Sequence, residues 1–352
     1  MDRSAQNRGT AEVREAHRFD VASLAAWMEA NVEGFAGPLC VEQFKGGQSN
    51  PTYKLLTPGR TYVLRRKPPG KLLPGAHAVD REHRVISALG EQGFPVARAY
   101  GLCLDEAVIG TQFYVMEMVE GRIFWDPTFA EVRREDRPLY FDAMNETIAR
   151  LHLIDPNAAG LGDYGKPGNY FARQIARWSQ QYQNDVEAGR VASMDRLVEW
   201  LPENIPPDEP QARVIHGDFR CDNMIFHPSE PRVLAVLDWE LSTLGHPLAD
   251  FSYHLMMYRM PDALGGADLA ALNLPNEDDY VAAYCRRTLR DGIPHLDFYM
   301  AFNLFRLAGI VHGIKGRLAR GTAASAHAAE MAKRLDPLAD LAWAQAQKAG
   351  AA

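Results

Sequence analysis

The feature that most constrains this chain is a polar loop, His216–Asn223, between short apolar runs. Short apolar runs bounded by turn residues are typical of strands. The runs lie at 214–215, 224–226 and 233–237, and a turn at 227–231 separates the last two. These two runs predict a hairpin. It would return Asp238, at its end, beside the loop that carries Asp218 and Asn223.

Two carboxylates and an amide in this pattern indicate phosphoryl transfer. That chemistry needs one carboxylate to orient the attacking hydroxyl and accept its proton. It also needs oxygen ligands that hold Mg²⁺ on the nucleotide phosphates. Asp218 suits the catalytic role, and Asn223 and Asp238 suit the metal role. The loop therefore predicts a magnesium-dependent phosphotransferase in which the three side chains share one cleft.

Composition limits the alternatives. The 352 residues exceed one ordinary core, which predicts two lobes or two domains. A net charge of −7 argues against nucleic acid as a partner. Four cysteines without a CxxC pair argue against a zinc site and against a disulfide framework. We find no signal sequence and no apolar stretch of about 18 residues. We therefore expect a cytoplasmic enzyme with no membrane partner.

The predicted elements divide the chain into a flexible tail, residues 1–19, and two lobes, residues 20–118 and 119–352. In the first lobe we predict a helix capped by Asp20, three strands within 39–67, a helix over 79–89 and extended runs at 98–104 and 112–119. In the second lobe we predict helices over 141–151, from Trp178, over 298–319 and after Gly321. The break in pattern at Glu120–Gly121 marks the boundary.

The loop and the strands after it resemble the aminoglycoside phosphotransferase family. The family signature His-Gly-Asp-x-x-x-x-Asn matches His216–Asn223, and Asp238 matches the metal-binding aspartate. The resemblance runs from about Phe44 to Ser325. It implies an α+β, protein-kinase-like fold of two lobes, with a small antiparallel-sheet N-lobe and a mainly helical C-lobe that carries the substrate site. It also implies ATP and Mg as cofactors and a small-molecule hydroxyl as acceptor.

The resemblance also assigns nucleotide contacts in the N-lobe. The hairpin 46–51 would cover the phosphates with its backbone amides, through Gly47, Ser49 and Asn50.

Further contacts follow from position in the N-lobe. Arg65 stands where many members have a lysine that holds the α and β phosphates, and Lys67 is the alternative. Glu82 aligns with the glutamate that pairs with this basic residue. Glu117 and Met118 look like the hinge, whose backbone groups would hydrogen-bond adenine.

Three residues near the signature receive supporting roles from the same resemblance. Asp250 resembles an aspartate that braces the catalytic loop through backbone amides. His216 is expected to orient the loop rather than to transfer protons. Glu240 is either a ligand of a second magnesium or a solvated, salt-bridged residue.

Within the family, three segments resemble the kinase-like domain fused to acyl-CoA dehydrogenases in animal acyl-CoA dehydrogenase family members 10 and 11. The segments are Gly47–Tyr53, Asp238–Gly245 and Phe305–Ile310. That subgroup is associated with hydroxylated acyl-CoA metabolism. The resemblance therefore makes a hydroxyacyl-CoA the leading acceptor, although the residues themselves specify no thioester.

Other enzyme classes lack their motifs in this sequence. It has no P-loop, no HExxH zinc site, and Pro51 replaces the second glycine of a serine-hydrolase elbow. Three hypotheses stay open. They are a small-molecule kinase acting on a hydroxyacyl-CoA, an aminoglycoside or amino-alcohol kinase in keeping with the acidic charge, and a nucleotide-binding pseudokinase that acts as an interaction module. The presence of Asp218, Asn223 and Asp238 favours an active kinase.

Overall fold

An antiparallel sheet of six strands lies in the first third of the chain. The computed structural model describes residues 9–45, 50–70, 77–209, 211–322 and 328–352. The strands are β1 Thr10–Ala11, β2 Cys40–Phe44, β3 Thr52–Leu56, β4 Thr61–Arg66, β5 Ala99–Cys103 and β6 Phe113–Glu117. They lie in the order β1-β2-β3-β4-β6-β5, and every neighbouring pair is antiparallel. The strands predicted within 39–67 and the two extended runs are confirmed.

Helices are the main regular elements in the rest of the described chain. They are α1 Val21–Asn31, α2 Val79–Glu91, α3 Arg137–Leu153, α4 Tyr170–Asn184, α5 Ala192–Glu203, α6 Pro247–Leu255, α7 Leu269–Leu272, α8 Glu277–Thr288, α9 Leu296–Ala319, α10 Ala328–Ala332 and α11 Leu335–Lys348. Four short strands form two more antiparallel pairs: β7 Arg213–Ile215 with β10 Thr243–Gly245, and β8 Met224–Phe226 with β9 Val233–Val236. The β8–β9 pair is the hairpin predicted after the polar loop.

The described residues fall into two compact units, each made of two stretches of chain. The first unit is the chain up to Tyr164 together with Arg220–Ser242, and it holds the six-stranded sheet, α1 to α3 and the β8–β9 hairpin. The second unit is Gly165–Phe219 together with Thr243–Ala352, and it holds β7, β10 and α4 to α11. The units are drawn at other residues than the predicted lobe boundary between 118 and 119, which stays a prediction.

Helix α1 lies on the sheet of the first unit, as its sequence predicts. The Asp20 carboxylate caps the helix by accepting hydrogen bonds of 2.9 and 3.1 Å from the backbone N–H groups of Ala22 and Ser23. Leu24 and Met28, one helical turn apart, are fully buried in the core that the helix shares with the sheet.

The described part of the predicted tail forms ordered contacts. Strand β1 pairs with β2, and a 3₁₀ turn covers Glu15–His17. The carbonyl oxygen of His17 accepts hydrogen bonds from the Tyr53 hydroxyl at 3.2 Å and from the Arg66 guanidinium at 3.0 Å. The expectation of a tail rested on polarity. These contacts use the backbone of the segment, and the polarity of its side chains does not indicate whether its backbone makes such contacts.

Helix α9 is the core of the second unit. It is buried on nearly all sides, from Phe298 to Gly316, by contact with α4, α5, α6 and α11. The predicted extent of the helix is confirmed, and several of its faces are buried because neighbouring helices cover them. Neither α9 nor any other helix in the described residues combines the length and apolar character that crossing a bilayer requires.

Two predicted helix bounds need correction. Helix α4 begins at Tyr170 rather than Trp178, because Tyr170, Phe171 and Ile175 already bury the apolar face of the helix. The Ala-rich end contains α10 and α11 rather than one helix. In both cases the bounds of the helices follow from which side chains are buried, and the local sequence pattern did not indicate which side chains these are.

Candidate active site

A cavity of about 750 Å³ lies in the first unit. Its wall follows the chain from the end of β6 through Met116–Gly121, a segment that contains the predicted hinge residues Glu117 and Met118 and that we call the hinge segment. Arg65, Asn223 and Asp238 also line it. Its apolar lining includes Val63, Ile86, Ala97, Val236 and Leu237. We call this space the hinge cavity.

The hinge segment lies against the β8–β9 hairpin at Gly121. A Cβ atom at this position would lie 2.2 Å from the carbonyl oxygen of Phe226 and 2.5 Å from Cγ2 of Ile225, so the approach requires glycine. The next residue, Arg122, exchanges two backbone hydrogen bonds of 2.8 Å with Phe226. The aromatic ring of Phe226 packs on Phe124, with ring centroids 5.3 Å apart. These contacts fix the hairpin beside the hinge.

Arg65, on β4, carries positive charge into the hinge cavity. Its Nε lies 2.7 Å from Oε2 of Glu82, and its Nη2 lies 2.7 Å from Oδ1 of Asp238 and 3.6 Å from Oε2 of Glu240. Burial alone would lower the pKa of Arg65, but the surrounding acidic side chains raise it above its usual value. The guanidinium therefore stays charged. The pair predicted between Arg65 and Glu82 is present.

Glu82, on α2, is only 2% exposed. The Asn50 side-chain amide donates to its Oε1 at 2.7 Å, and the Tyr114 hydroxyl donates to its Oε2 at 3.1 Å. Burial raises the pKa of Glu82, whereas Arg65 and these two donors stabilise the carboxylate. Asn50 is held in turn by His77, whose Nδ1 lies 2.9 Å from Oδ1 of Asn50. Arg65 therefore rests on a fixed, buried partner.

Asp238 follows β9 with a left-handed backbone, φ 61°. Aspartate tolerates this conformation better than most residues. The Leu237 N–H donates to the Asn223 carbonyl oxygen at 2.8 Å, so the end of the loop lies beside the end of the strand.

The donor set at this point suits magnesium. Asn223 and Asp238 offer an amide oxygen and a carboxylate, and the Asp238 side chain is 37% exposed. Mg²⁺ prefers such oxygen ligands and takes its others from water and phosphate. Within the ranges that the structure describes, His, Cys, Asp and Glu do not gather in groups of three or more that could hold a metal ion. The pair thus fits a nucleotide-bound ion rather than an all-protein cage.

In the second unit, the start of the signature loop is held by its backbone. The two carboxylate oxygens of Asp250 accept hydrogen bonds from the N–H groups of His216, at 2.8 Å, and Gly217, at 2.7 Å. The Arg306 guanidinium donates to the Gly217 carbonyl oxygen. The Asp218 N–H donates to Nδ1 of His216 at 3.2 Å. The bracing expected of Asp250 and the orienting contact expected of His216 are both present.

The Asp218 carboxylate has a side-chain partner in the same unit. The Tyr253 hydroxyl donates to its Oδ1 at 2.5 Å. Tyr253 lies on α6, and the guanidinium carbon of Arg306 lies 4.9 Å from the centre of its ring. The side chain and the backbone of the loop are therefore both fixed.

Residues 41–299 match the family model described as phosphotransferase enzyme family. This chain belongs to that family. Among its relatives, acyl-CoA dehydrogenase family member 11 of Gallus gallus is 44% identical over 94% of this chain. Acyl-CoA dehydrogenase family member 10 of Mus musculus is 43% identical over 89% of it. The phosphotransferase chain covers 44% and 30% of these two proteins, so it spans less than half of their length.

Solved structures agree on the fold. A Ralstonia eutropha protein, a candidate aminoglycoside phosphotransferase, is 50% identical with a TM-score of 0.87 and covers 94% of this chain and 99% of its own. A choline kinase from Cryptosporidium parvum is 11% identical with a TM-score of 0.60, over 90% of this chain and 96% of its own. An aminoglycoside phosphotransferase complex with ADP and hygromycin B is 15% identical with a TM-score of 0.59, over 93% and 98%. The last two show the fold alone. The predicted kinase-like α+β fold of the phosphotransferase is confirmed.

Most predicted nucleotide and metal residues of the phosphotransferase meet at the hinge cavity. Its lining includes Arg65, Glu117, Met118, Asn223 and Asp238. Their binding roles stay predictions.

The other predicted residues lie elsewhere. Asn50 and Glu82 contact each other, and Glu82 pairs with Arg65. Lys67, the alternative to Arg65, donates to Oε1 of Gln112 at 2.6 Å. Gly47 and Ser49 lie outside the described residues. Asp218 belongs to the second unit.

Trp125 was not among the predicted site residues. This residue lines the hinge cavity of the phosphotransferase, and its indole Nε1 is buried without a hydrogen-bond partner among the described residues. A buried donor left unpaired costs about 1–3 kcal/mol, so a ligand that supplied an acceptor would be favoured. The only sequence signal was its position shortly after the hinge.

Proposed function

We propose that this chain is an ATP- and magnesium-dependent phosphotransferase that phosphorylates a hydroxyl group of a small molecule. The observation that carries the proposal is the hinge cavity. One space is lined by the hinge segment, whose backbone would bind a base, by a buried cation for phosphates, Arg65, and by two oxygen ligands for a metal, Asn223 and Asp238. The proposal also draws support from the family and from a member of the same fold that binds ADP.

In the proposed reaction, Asp218 orients the acceptor hydroxyl and accepts its proton. The acceptor oxygen forms a bond to the γ-phosphorus as the bond from that phosphorus to the bridging β–γ oxygen breaks, and ADP leaves. Arg65, held by Glu82, positions the α and β phosphates. Magnesium on Asn223 and Asp238 would neutralise charge on the phosphates. We propose that Asp218 acts together with the residues of the hinge cavity because the signature His216–Asn223 contains both Asp218 and Asn223 in one continuous segment.

The proposed acceptor is the hydroxyl group of a hydroxyacyl-CoA. Its support is the 44% and 43% identity to two proteins named as acyl-CoA dehydrogenases. Those names describe the longer proteins, of which this chain matches less than half. An aminoglycoside or amino-alcohol acceptor is the alternative, supported by the 50% identity to a candidate aminoglycoside phosphotransferase and by the net charge of −7.

The test is transfer of label from the γ-phosphate of ATP to panels of hydroxyacyl-CoAs, aminoglycosides and amino alcohols, with and without Mg²⁺. Asp218→Asn is the matched control, because it keeps the shape of the side chain but removes the carboxylate. We expect labelled hydroxyacyl-CoA from the wild-type chain and none from the variant, with ADP affinity changed less than about twofold.

Each other outcome selects an alternative. Label on an aminoglycoside or amino alcohol alone would identify the second acceptor class. Magnesium-dependent ADP binding without transfer to any acceptor would indicate a pseudokinase. Undiminished transfer by Asp218→Asn would remove the assigned base.

A further inference from the structure

We propose that Tyr253 is a positioning residue for Asp218, and that Arg306 holds Tyr253 in place. This inference rests on the proposed function, since it concerns the same catalytic carboxylate. It assigns a role to the segment Phe305–Ile310, which the sequence analysis connected only with a subgroup of the family.

Helix α6 presents two groups to the signature loop from one face. Asp250 and Tyr253 are three positions apart, a spacing that places side chains side by side on a helix. The Asp250 carboxylate accepts hydrogen bonds from two backbone N–H groups of the loop, and the Tyr253 hydroxyl donates a hydrogen bond to the Asp218 carboxylate. A single helix therefore fixes both the course of the loop and the direction of its side chain.

Helix α9 fixes α6 and the loop in the same manner. The Asn303 side-chain amide donates to the Ala249 carbonyl oxygen and to the Ser252 hydroxyl, both at 2.9 Å, and is completely buried. Arg306, three positions later, donates to the Gly217 carbonyl oxygen and covers the ring of Tyr253. Arg306 is itself only 7% exposed, so these contacts, rather than water, surround its guanidinium group. The ring of Tyr253 thus lies between a buried cation and the loop.

The contact matters because of the chemistry that Asp218 performs. A hydroxyl that donates to a carboxylate forms a short, charge-assisted bond, and 2.5 Å is at the short end of that range. Such a bond restricts rotation of the carboxylate. Proton transfer needs the accepting oxygen within hydrogen-bond reach of the acceptor hydroxyl, so loss of orientation lowers turnover even where substrate still binds.

Tyr253→Phe removes one oxygen atom and tests this role. We expect kcat to fall about tenfold or more, because orientation of the reacting groups is lost. The dissociation constant for ADP with Mg²⁺ should change less than about twofold, since its predicted contacts lie in the first unit. Tyr258→Phe is the control. Its hydroxyl donates to the Pro275 carbonyl oxygen at 3.1 Å, so the variant also loses one tyrosine hydrogen bond in this unit.

Arg306→Lys is the second variant. It keeps the charge but loses the planar fork over the ring, and we expect a smaller fall in kcat with the same unchanged ADP binding.

All variants are compared with Asp218→Asn in turnover, and with the wild-type chain by thermal melting. A wild-type kcat for Tyr253→Phe beside an inactive Asp218→Asn would overturn the positioning role and leave the proposed function standing. A fall in kcat matched by Tyr258→Phe, or explained by a lower Tm, would make Tyr253 structural. Full turnover by Asp218→Asn would defeat the proposed function itself.

Discussion

At the scale of single residues, Arg65 holds two carboxylates at once. Its planar guanidinium reaches Glu82 through Nε and Asp238 through Nη2. A lysine, with one ammonium group, would not offer two donors in a fixed plane. The arginine therefore neutralises Asp238, the predicted metal ligand, while it stays anchored on Glu82. Binding of a metal–nucleotide complex at Asp238 would exchange one positive partner for another.

Asp238→Asn tests the metal role at this position. Asparagine also tolerates the left-handed backbone, so the change removes charge with little cost in backbone strain. We expect the gain in nucleotide affinity on adding Mg²⁺ to fall at least about tenfold, as measured by ADP titrations across a magnesium series. Glu131→Gln, at another acid of the hinge cavity, is the control and should keep the magnesium response. An unchanged response in Asp238→Asn would place the metal elsewhere.

At single residues, the contact that the family resemblance implied between Arg65 and Glu82 is present. The roles that the local signature predicts for Asp218 and Asn223 stay predictions. Tyr253 was not predicted because its partner Asp218 lies 35 positions away, and no local pattern connects an aromatic residue on one helix with a carboxylate in a loop.

At the scale of elements, the hinge and the β8–β9 hairpin are joined by backbone contacts at Gly121 and Arg122. The sequence predicted both, with a break at Gly121, but it did not predict that they touch. Position 121 requires glycine because a Cβ atom there would overlap the Phe226 carbonyl oxygen. That carbonyl already accepts a hydrogen bond from the Arg122 N–H. A glycine in a sequence indicates a break, whereas only the fold shows whether a turn or a close approach requires it.

Gly121→Ala should therefore damage both stability and nucleotide binding. The added methyl would overlap a backbone atom that cannot move alone, and overpacking of this kind costs about 1–3 kcal/mol. We expect a lower free energy of unfolding in urea and weaker ADP binding, because the hinge and the hairpin that leads to Asp238, the predicted metal ligand, would be pushed apart. Gly59→Ala is the control, since nothing lies within 4 Å of a Cβ there. Equal effects at both positions would argue against the close approach.

At the scale of the whole molecule, His254 makes stability depend on pH. It is buried in the second unit, where its Nδ1 lies 3.2 Å from the Phe219 carbonyl oxygen and its Nε2 lies 2.7 Å from the Tyr280 hydroxyl. Burial lowers its pKa to about 4, although the Phe219 carbonyl and Asp250 act in the opposite direction. The folded chain thus keeps this imidazole neutral, whereas the unfolded chain protonates it near pH 6.5. Its contribution to stability is complete above that pH and is lost as pH falls toward 4.

We expect the stability difference between the wild-type chain and His254→Gln to shrink by about 2 kcal/mol from pH 7 to pH 5. Urea unfolding at the two pH values measures it. Tyr280→Phe is the control: it removes a partner of the imidazole but keeps the imidazole, so it should be less stable yet retain most of the pH dependence. A constant difference for His254→Gln would mean that the imidazole does not titrate as its burial requires.

The division into units carries a consequence for biosynthesis. The first unit needs residues 220–242, which include Asn223, Asp238 and the partner strands of the hairpin, yet its sheet is complete by Glu117. On a ribosome, which releases the chain from its N-terminus, the sheet emerges long before the strands that finish the cavity wall. The cavity wall of the nascent protein therefore stays incomplete while the intervening segment, residues 165–219, is still being made.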